Sequence, residues 1–224
     1  MAIAFDNAST AGAVATVTVK WTHTATGSNL FAVMGTASGA GFSLSTTGIN
    51  NLPFSIKASV LGDGAGIGTY QLAVASAVAA GNLSMSASFS GTSPSWCCAV
   101  ATYTGVAQAN PVGAASSATA TGTVLNLSVS STAGATVVAM IATTQQVTIT
   151  DPQNARAVAQ YNDAVAGFSA TVQLSDKASG GSTTSFSWSL ASALNCFMAG
   201  IAISATAIAA TNNLGTLALT KVGV

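Results

Sequence analysis

Apolar and polar residues alternate along much of the chain. Ala15, Val17, Val19 and Trp21 fall on one side of a period of two, and Thr16, Thr18, Lys20 and Thr22 on the other. Leu83, Met85, Ala87 and Phe89 oppose Ser84, Ser86, Ser88 and Ser90. Phe168, Ala170, Val172 and Leu174 oppose Ser169, Thr171, Gln173 and Ser175, and Phe186, Trp188 and Leu190 oppose a row of serines. Successive side chains of an extended strand point to opposite faces, so each segment is expected to turn one face to a core and the other to water. Three further segments, Trp96 to Tyr103, Ala135 to Ala142 and Cys196 to Ile203, are apolar on both faces. In a two-layer sandwich only the inner face needs burial. Their second faces therefore call for another cover: a loop, an arm or a neighbouring subunit.

Turn-forming runs separate these segments: GINNLP, GDGAGIG, AAGN, SGTSPS, SSTAG, TDPQN and ASGGST. Long helical periodicity is absent, and no repeat with a period of 20 to 50 residues is visible. The pattern predicts an all-β fold, an antiparallel β-sandwich of jelly-roll or immunoglobulin-like type with terminal arms. A single domain is expected over residues 1–206, including an N-terminal arm, MAIAFDNAS. Residues 207–224 then form a C-terminal arm or an extra strand. Asn212-Asn213 reads as a turn before it, and Leu214, Leu217, Leu219 and Val222 are its apolar positions. A short apolar strand at a chain end is an association hazard unless docked, and a neighbour's sheet edge is the expected dock.

Composition narrows the function classes. Of 224 residues, 4% are charged, against roughly 25% in an ordinary soluble domain. Five Asp, no Glu, five basic residues and one His give a formal net charge of +0. That balance supplies no electrostatic footprint for nucleic acid or an anionic membrane, and near-zero charge favours association. With 50% hydrophobic residues the chain lacks the signature of disorder. The opening MAIAFDNAST has no basic region and is interrupted by Asp6, so no secretion signal is expected. The longest apolar run, Cys196 to Ala210, is shorter than a membrane-spanning helix requires and reads as a buried strand followed by a loop.

Candidate chemistry is sparse. Cys97 and Cys98 are adjacent, so in a strand they point to opposite faces and cannot share a metal or a relaxed disulfide. They read as small core residues, with Cys196 a possible cross-strand partner of either. His23 would serve a nucleophile only if a Ser and an Asp clustered around it in a pocket. The five Asp lie in or beside turn-like segments, and no paired carboxylates, G-x-S-x-G elbow or phosphate-binding glycine loop is present. No catalytic, metal or cofactor residue is expected, and the chain reads as a protein that is not an enzyme. Trp21 and Trp188 fall on apolar faces, whereas Trp96 follows a Pro-containing turn and is the candidate exposed aromatic.

Several phrases in order carry a resemblance: FDNAST, TVTVKWTHT, GSNLFAVMG, TYQLAVASA, CCAVATYTGVAQANPVG and SFSWSLASALNCFMAGIAIS. From about Phe5 to Ile203 the chain resembles a β-sandwich module that recurs in phage virion proteins and in repetitive bacterial surface proteins. It departs from that pattern at Phe31, where a basic residue is usual, and at Ala107-Gln108, where an acidic step is usual. The resemblance implies a structural or binding role. The expectation is a virion protein, either a capsid decoration or cement protein or a tail or fibre component. It would form homo-oligomers and contact other virion proteins. The alternative is a carbohydrate- or surface-binding module of a bacterial extracellular protein.

Overall fold

A computed structural model describes residues 2–13, 18–38, 44–60, 68–90, 96–163 and 168–206. In chain order the first strands are β1 (Ala4–Ala13), β2 (Thr18–Ala25), β3 (Leu30–Ser38), β4 (Leu44–Ile49), β5 (Leu52–Pro53), β6 (Ser55–Val60), β7 (Thr69–Val78), β8 (Gly81–Phe89) and β9 (Trp96–Thr104). Then follow β10 (Val112–Ser130), β11 (Thr136–Thr143), β12 (Ile149–Thr150), β13 (Asn154–Asp163), β14 (Phe168–Ala178) and β15 (Thr183–Ile203). The fold is all β, and every described pairing is antiparallel. Turn chemistry follows the sequence. In GINNLP, Asn50 and Asn51 take φ of 47° and 67°, the left-handed pair that a tight hairpin turn demands.

The strands form sheets in the orders β1-β9-β3-β7-β6, β2-β8-β4-β5 and β10-β15-β11-β14-β13, with β12 joined to β15. Three cores lie between them. One, with Phe31, Leu72, Tyr103, Met140, Leu174 and Phe197, fills the space between the first and third sheets. A second, with Met34, Met85, Phe89, Trp96 and Cys98, lies between the first sheet and β2-β8-β4. A third, with Leu127, Ile141, Phe186, Trp188 and Met198, lies inside the third sheet. It exists because β10 and β15, 19 and 21 residues long, pair along their whole length and shift register between Gly122 and Val124. Beyond that point the two-stranded ribbon lies back over the outer face of β11 and β15.

The molecule is therefore four layers deep. The second apolar faces of β9, β11 and β15 are covered from within the chain, by the outer layers of the same protein. They do not require a neighbour.

The halves of the chain repeat one topology. In the first, β1-β9-β3-β7-β6 faces β2-β8-β4. In the second, the start of β10, the end of β15, β11, β14 and β13 form the equivalent sheet. The end of β10, the start of β15 and β12 form the equivalent cover. Registers agree as well. Gly35 pairs with Leu72 and Ala99, and Met140 with Leu174 and Ala199. Bulges recur at the same places: Lys57 is the extra residue of β6 and Arg156 that of β13.

The halves pack back to back, β1 on β13, β6 on β10, β9 on β14, β7 on β15, and β3 on its own counterpart β11. That is the contact pattern of a twofold interface, in which each element meets its partner's equivalent. The described residues thus repeat one sandwich topology in sequence, the two copies packed through their inner sheets.

The predicted faces hold for Leu83, Met85, Ala87 and Phe89 and for Phe186, Trp188 and Leu190, all buried. On β14 Ala170, Val172 and Leu174 are buried, but so are polar residues of the opposite face. Thr171, Gln173 and Ser175 are 0%, 2% and 0% exposed. The segment Thr144–Gln153 crosses that face and satisfies it. The Thr171 hydroxyl donates to the Gln145 carbonyl at 2.8 Å, and Gln173 Nε2 and Ser175 Oγ both donate to Asp151. Buried polar groups are tolerated where each finds such a partner.

Candidate functional site

The expected arm residues Leu214, Leu217, Leu219 and Val222 lie outside the described residues. Trp96, expected as an exposed aromatic, is fully buried and stacks on Phe89 at 4.9 Å between ring centroids. The preceding turn suggested exposure, but β9 runs through the middle of the molecule from its first residue. Trp188 is buried too, stacked on Phe186 at 5.6 Å. Trp21 is the half-buried tryptophan of the three.

A sheet edge presents unpaired N–H and C=O groups, and soluble proteins blunt it with charge, bulges, Pro or brevity. Among the described residues, the strands that end the three sheet orders follow that rule except for β10. β1, β6 and β13 each carry a bulge whose extra residue is charged: Asp6, Lys57 and Arg156. β2 has exposed Lys20 at its centre, and β5 is two residues long and ends on Pro53. β10 is different. It has no charged residue from Val112 to Ser130 and pairs only with β15 among the described residues. Nearly every residue from Val112 to Gly122 is exposed. Its bulge falls at the same place as that of β1, but holds Gly113 and Ala114 where β1 holds Asp6. Sequence reasoning missed this edge, because a run of Ala, Ser, Thr and Gly does not announce which side of a strand is unpaired.

The Asp6 bulge supports a buried polar bridge. Trp21 Nε1 donates to Ser9 Oγ at 3.1 Å, and Ser9 Oγ lies 2.9 Å from His23 Nδ1. On the other side of the ring, His23 Nε2 lies 3.1 Å from Thr102 Oγ1, which donates to Asp6 Oδ2 at 3.1 Å. The single proton of the Thr102 hydroxyl goes to the Asp6 carboxylate, which can only accept, so Thr102 must accept from the ring and the neutral imidazole carries its proton on Nε2. Ser9 donates to Nδ1, and protonated Nε2 donates to Thr102. Asp6 also accepts from the Thr26 hydroxyl and from the Thr26 and Gly27 amides.

Burial works to raise the Asp6 pKa, but these hydrogen bonds outweigh it and hold the carboxyl below its ordinary value. Burial lowers the His23 pKa against the opposing pull of Asp6. The Ser, His and Asp that nucleophilic chemistry would need are thus together, joined through Thr102. The imidazole is fully buried, with both nitrogens engaged. What the network visibly does is tie β1 to β2 and β9. In the second half Thr102 is replaced by Ala202, at the same register position. A cavity of about 230 Å³ lined by Gly113, Ala114 and Ala202 opens there.

A second cluster joins the halves. Arg156 grips Asp176 in two-pronged fashion, Nε to Oδ2 at 2.7 Å and Nη2 to Oδ1 at 3.1 Å, and Asn154 adds a bond at 3.2 Å. Its guanidinium sits 4.6 Å over the Phe5 ring, a favourable place for a cation. Asp176 was expected beside a turn, yet it lies within β14 as the partner of this arginine. The Tyr103 hydroxyl is buried beside the pair without a hydrogen-bond partner. Burial, then the charge of Asp176, pushes its pKa well above the ordinary value. These groups border a cavity of about 400 Å³ at the end of the shared core.

The cysteines behave as core residues. Cys97 faces the shared core, Cys98 the first half's own core and Cys196 that of the second half, all as free thiols. The cross-strand disulfide with Cys196 is not formed. No protein-family model, curated protein or solved structure matches the chain.

Proposed function

We propose that the chain is a structural protein of a phage virion, a capsid decoration or cement protein or a tail or fibre component. It works through contacts with its own copies and with other virion proteins. The observation that carries this reading is the uncharged edge Val112 to Gly122 of β10, where the other strands that end the described sheet orders carry charge, Pro or brevity. Scarcity of charge and the resemblance running from Phe5 to Ile203 support it. The two-faced strands add nothing, since the chain covers them itself. Burial of Trp96 removes the aromatic on which a sugar-binding surface module would have rested.

The test uses an antibody raised against the purified chain. It is applied to phage particles and to cells from the culture that carries the gene, and viewed by electron microscopy. Regular labelling of heads or tails is expected. Labelling confined to the cell envelope would replace this reading with the surface-module one.

A further inference from the structure

We infer that the open edge of β10 receives the C-terminal segment Leu214–Val224 of another copy of this chain, added as an antiparallel strand. This rests on the reading that the protein works through contacts between copies.

Charge and register match the segment to the edge. The segment contains Lys221. Once added it would become the new edge and give it the charge that β10 lacks, so addition would stop after one strand. Placing Leu214 opposite Gly122 sets Val222 opposite Ala114, beside the cavity of about 230 Å³ lined by Gly113, Ala114 and Ala202. A valine entering that space occupies the site that the Asp6 network fills in the first half.

Reach decides that the segment comes from another copy. The described chain leaves at Thr206, whose amide donates to the Gly105 carbonyl, beside the Val112 end of β10. An antiparallel strand must begin at the other end, near Gly122. Ten residues of strand cover about 34 Å, whereas the eight steps from Thr206 to Leu214 span at most about 28 Å. In the register that sets Val222 beside the cavity, the chain's own segment therefore cannot reach β10 in the antiparallel sense. Parallel pairs are the less stable kind, and every described pair in this protein is antiparallel. A second copy has no such restriction.

The experiment compares three proteins by sedimentation velocity: the full chain, a truncation lacking residues 214–224, and a full-length Ala118→Lys/Ala120→Lys variant. Both alanines are exposed, so the last protein keeps its fold, which circular dichroism verifies. The full chain is expected to self-associate. Each altered protein should lose association by about a hundredfold or more, since strand addition supplies both hydrogen bonds and buried side chains. Mixing the two should restore a one-to-one complex, because one supplies an intact edge and the other an intact segment. Association untouched by either change would overturn the inference while leaving assembly through copies in place. A monomeric full chain with β10 amides protected from exchange would show the segment docked on its own copy, and would overturn it too. A monomeric full chain with unprotected β10 amides would sink both this inference and the assembly reading.

Discussion

Gly35 and Met140 occupy the same position in the two halves of the chain, and they meet. Each sits at the centre of its inner sheet, on β3 and β11, where the halves cross. A Cβ on Gly35 would lie 2.6 Å from Met140 Sδ and 3.0 Å from Val172 Cγ1. Equivalent residues facing each other across a twofold compete for one space. Here that space is divided unequally, with no side chain on one side and a flexible thioether on the other.

Gly35→Ala should therefore destabilise the protein by about 1–3 kcal/mol through overpacking. Urea denaturation measures it. In a Met140→Ala background the same change should cost less, since the nearest obstructing atom is gone. Equal costs in both backgrounds would show that the two residues do not share the space.

Cys97 and Cys98 are neighbours in sequence and belong to different cores. Burial pushes the Cys97 thiol up to about 12 and Cys196 up to about 11, and lifts Cys98 well above its usual value. The native protein should resist thiol reagents at neutral pH, and the denatured protein should titrate three thiols. Cys97→Ala and Cys98→Ala should each cost on the order of 1 kcal/mol and leave metal content unchanged. Stoichiometric zinc or iron lost on either substitution would refute the core role.

Trp188→Ala should cost about 3–5 kcal/mol, because the buried indole fills the core under the folded-back ribbon. Ser187→Ala on the opposite face should be close to silent. Comparable effects would mean that the alternation along β15 does not mark a core.

The His23 bridge predicts a pH dependence. The folded-state pKa lies below the ordinary 6.5. As pH falls through 6.5 the unfolded chain takes up a proton that the folded protein refuses. Stability is then complete above about pH 7 and declines as pH drops. His23→Val should flatten that part of the profile, measured by denaturation between about pH 5 and 7. A profile unchanged by the substitution would show that His23 does not set it.

Alternation made much of the fold legible. Leu83 to Phe89 and Phe186 to Leu190 show their buried faces directly, and the turns fall where Asn and Gly stand. Periodicity says how a strand's faces differ but not what covers them. That is why Thr171, Gln173 and Ser175 read as facing water while Thr144–Gln153 lies across them. For the same reason the second faces of β9, β11 and β15 called for a loop, an arm or a neighbour, whereas further strands of the same chain cover them. The repetition of one topology was hidden because strands of Ala, Ser, Thr and Val resemble one another everywhere. It emerges from registers and bulges, where Lys57 answers Arg156, rather than from residue identity. Of the candidate site, the C-terminal segment was visible as an apolar run. The edge was not, since it depends on which strands end each sheet.

The two units are consecutive in the chain, so they are also consecutive in time. A ribosome releases β1 to β9 before the strands that cover their inner sheet exist. At typical rates the remaining hundred or so residues take on the order of ten seconds to appear. For that interval Phe31, Leu72 and Tyr103 have no partner layer of their own. The surface waiting for β11, β14 and β15 is shaped to receive a unit of the same topology, and on a crowded polysome a neighbouring nascent chain carries one. Pairing between first units of different chains is the misassembly this architecture invites, and the inequality of Gly35 and Met140 works against it by favouring the unlike pair.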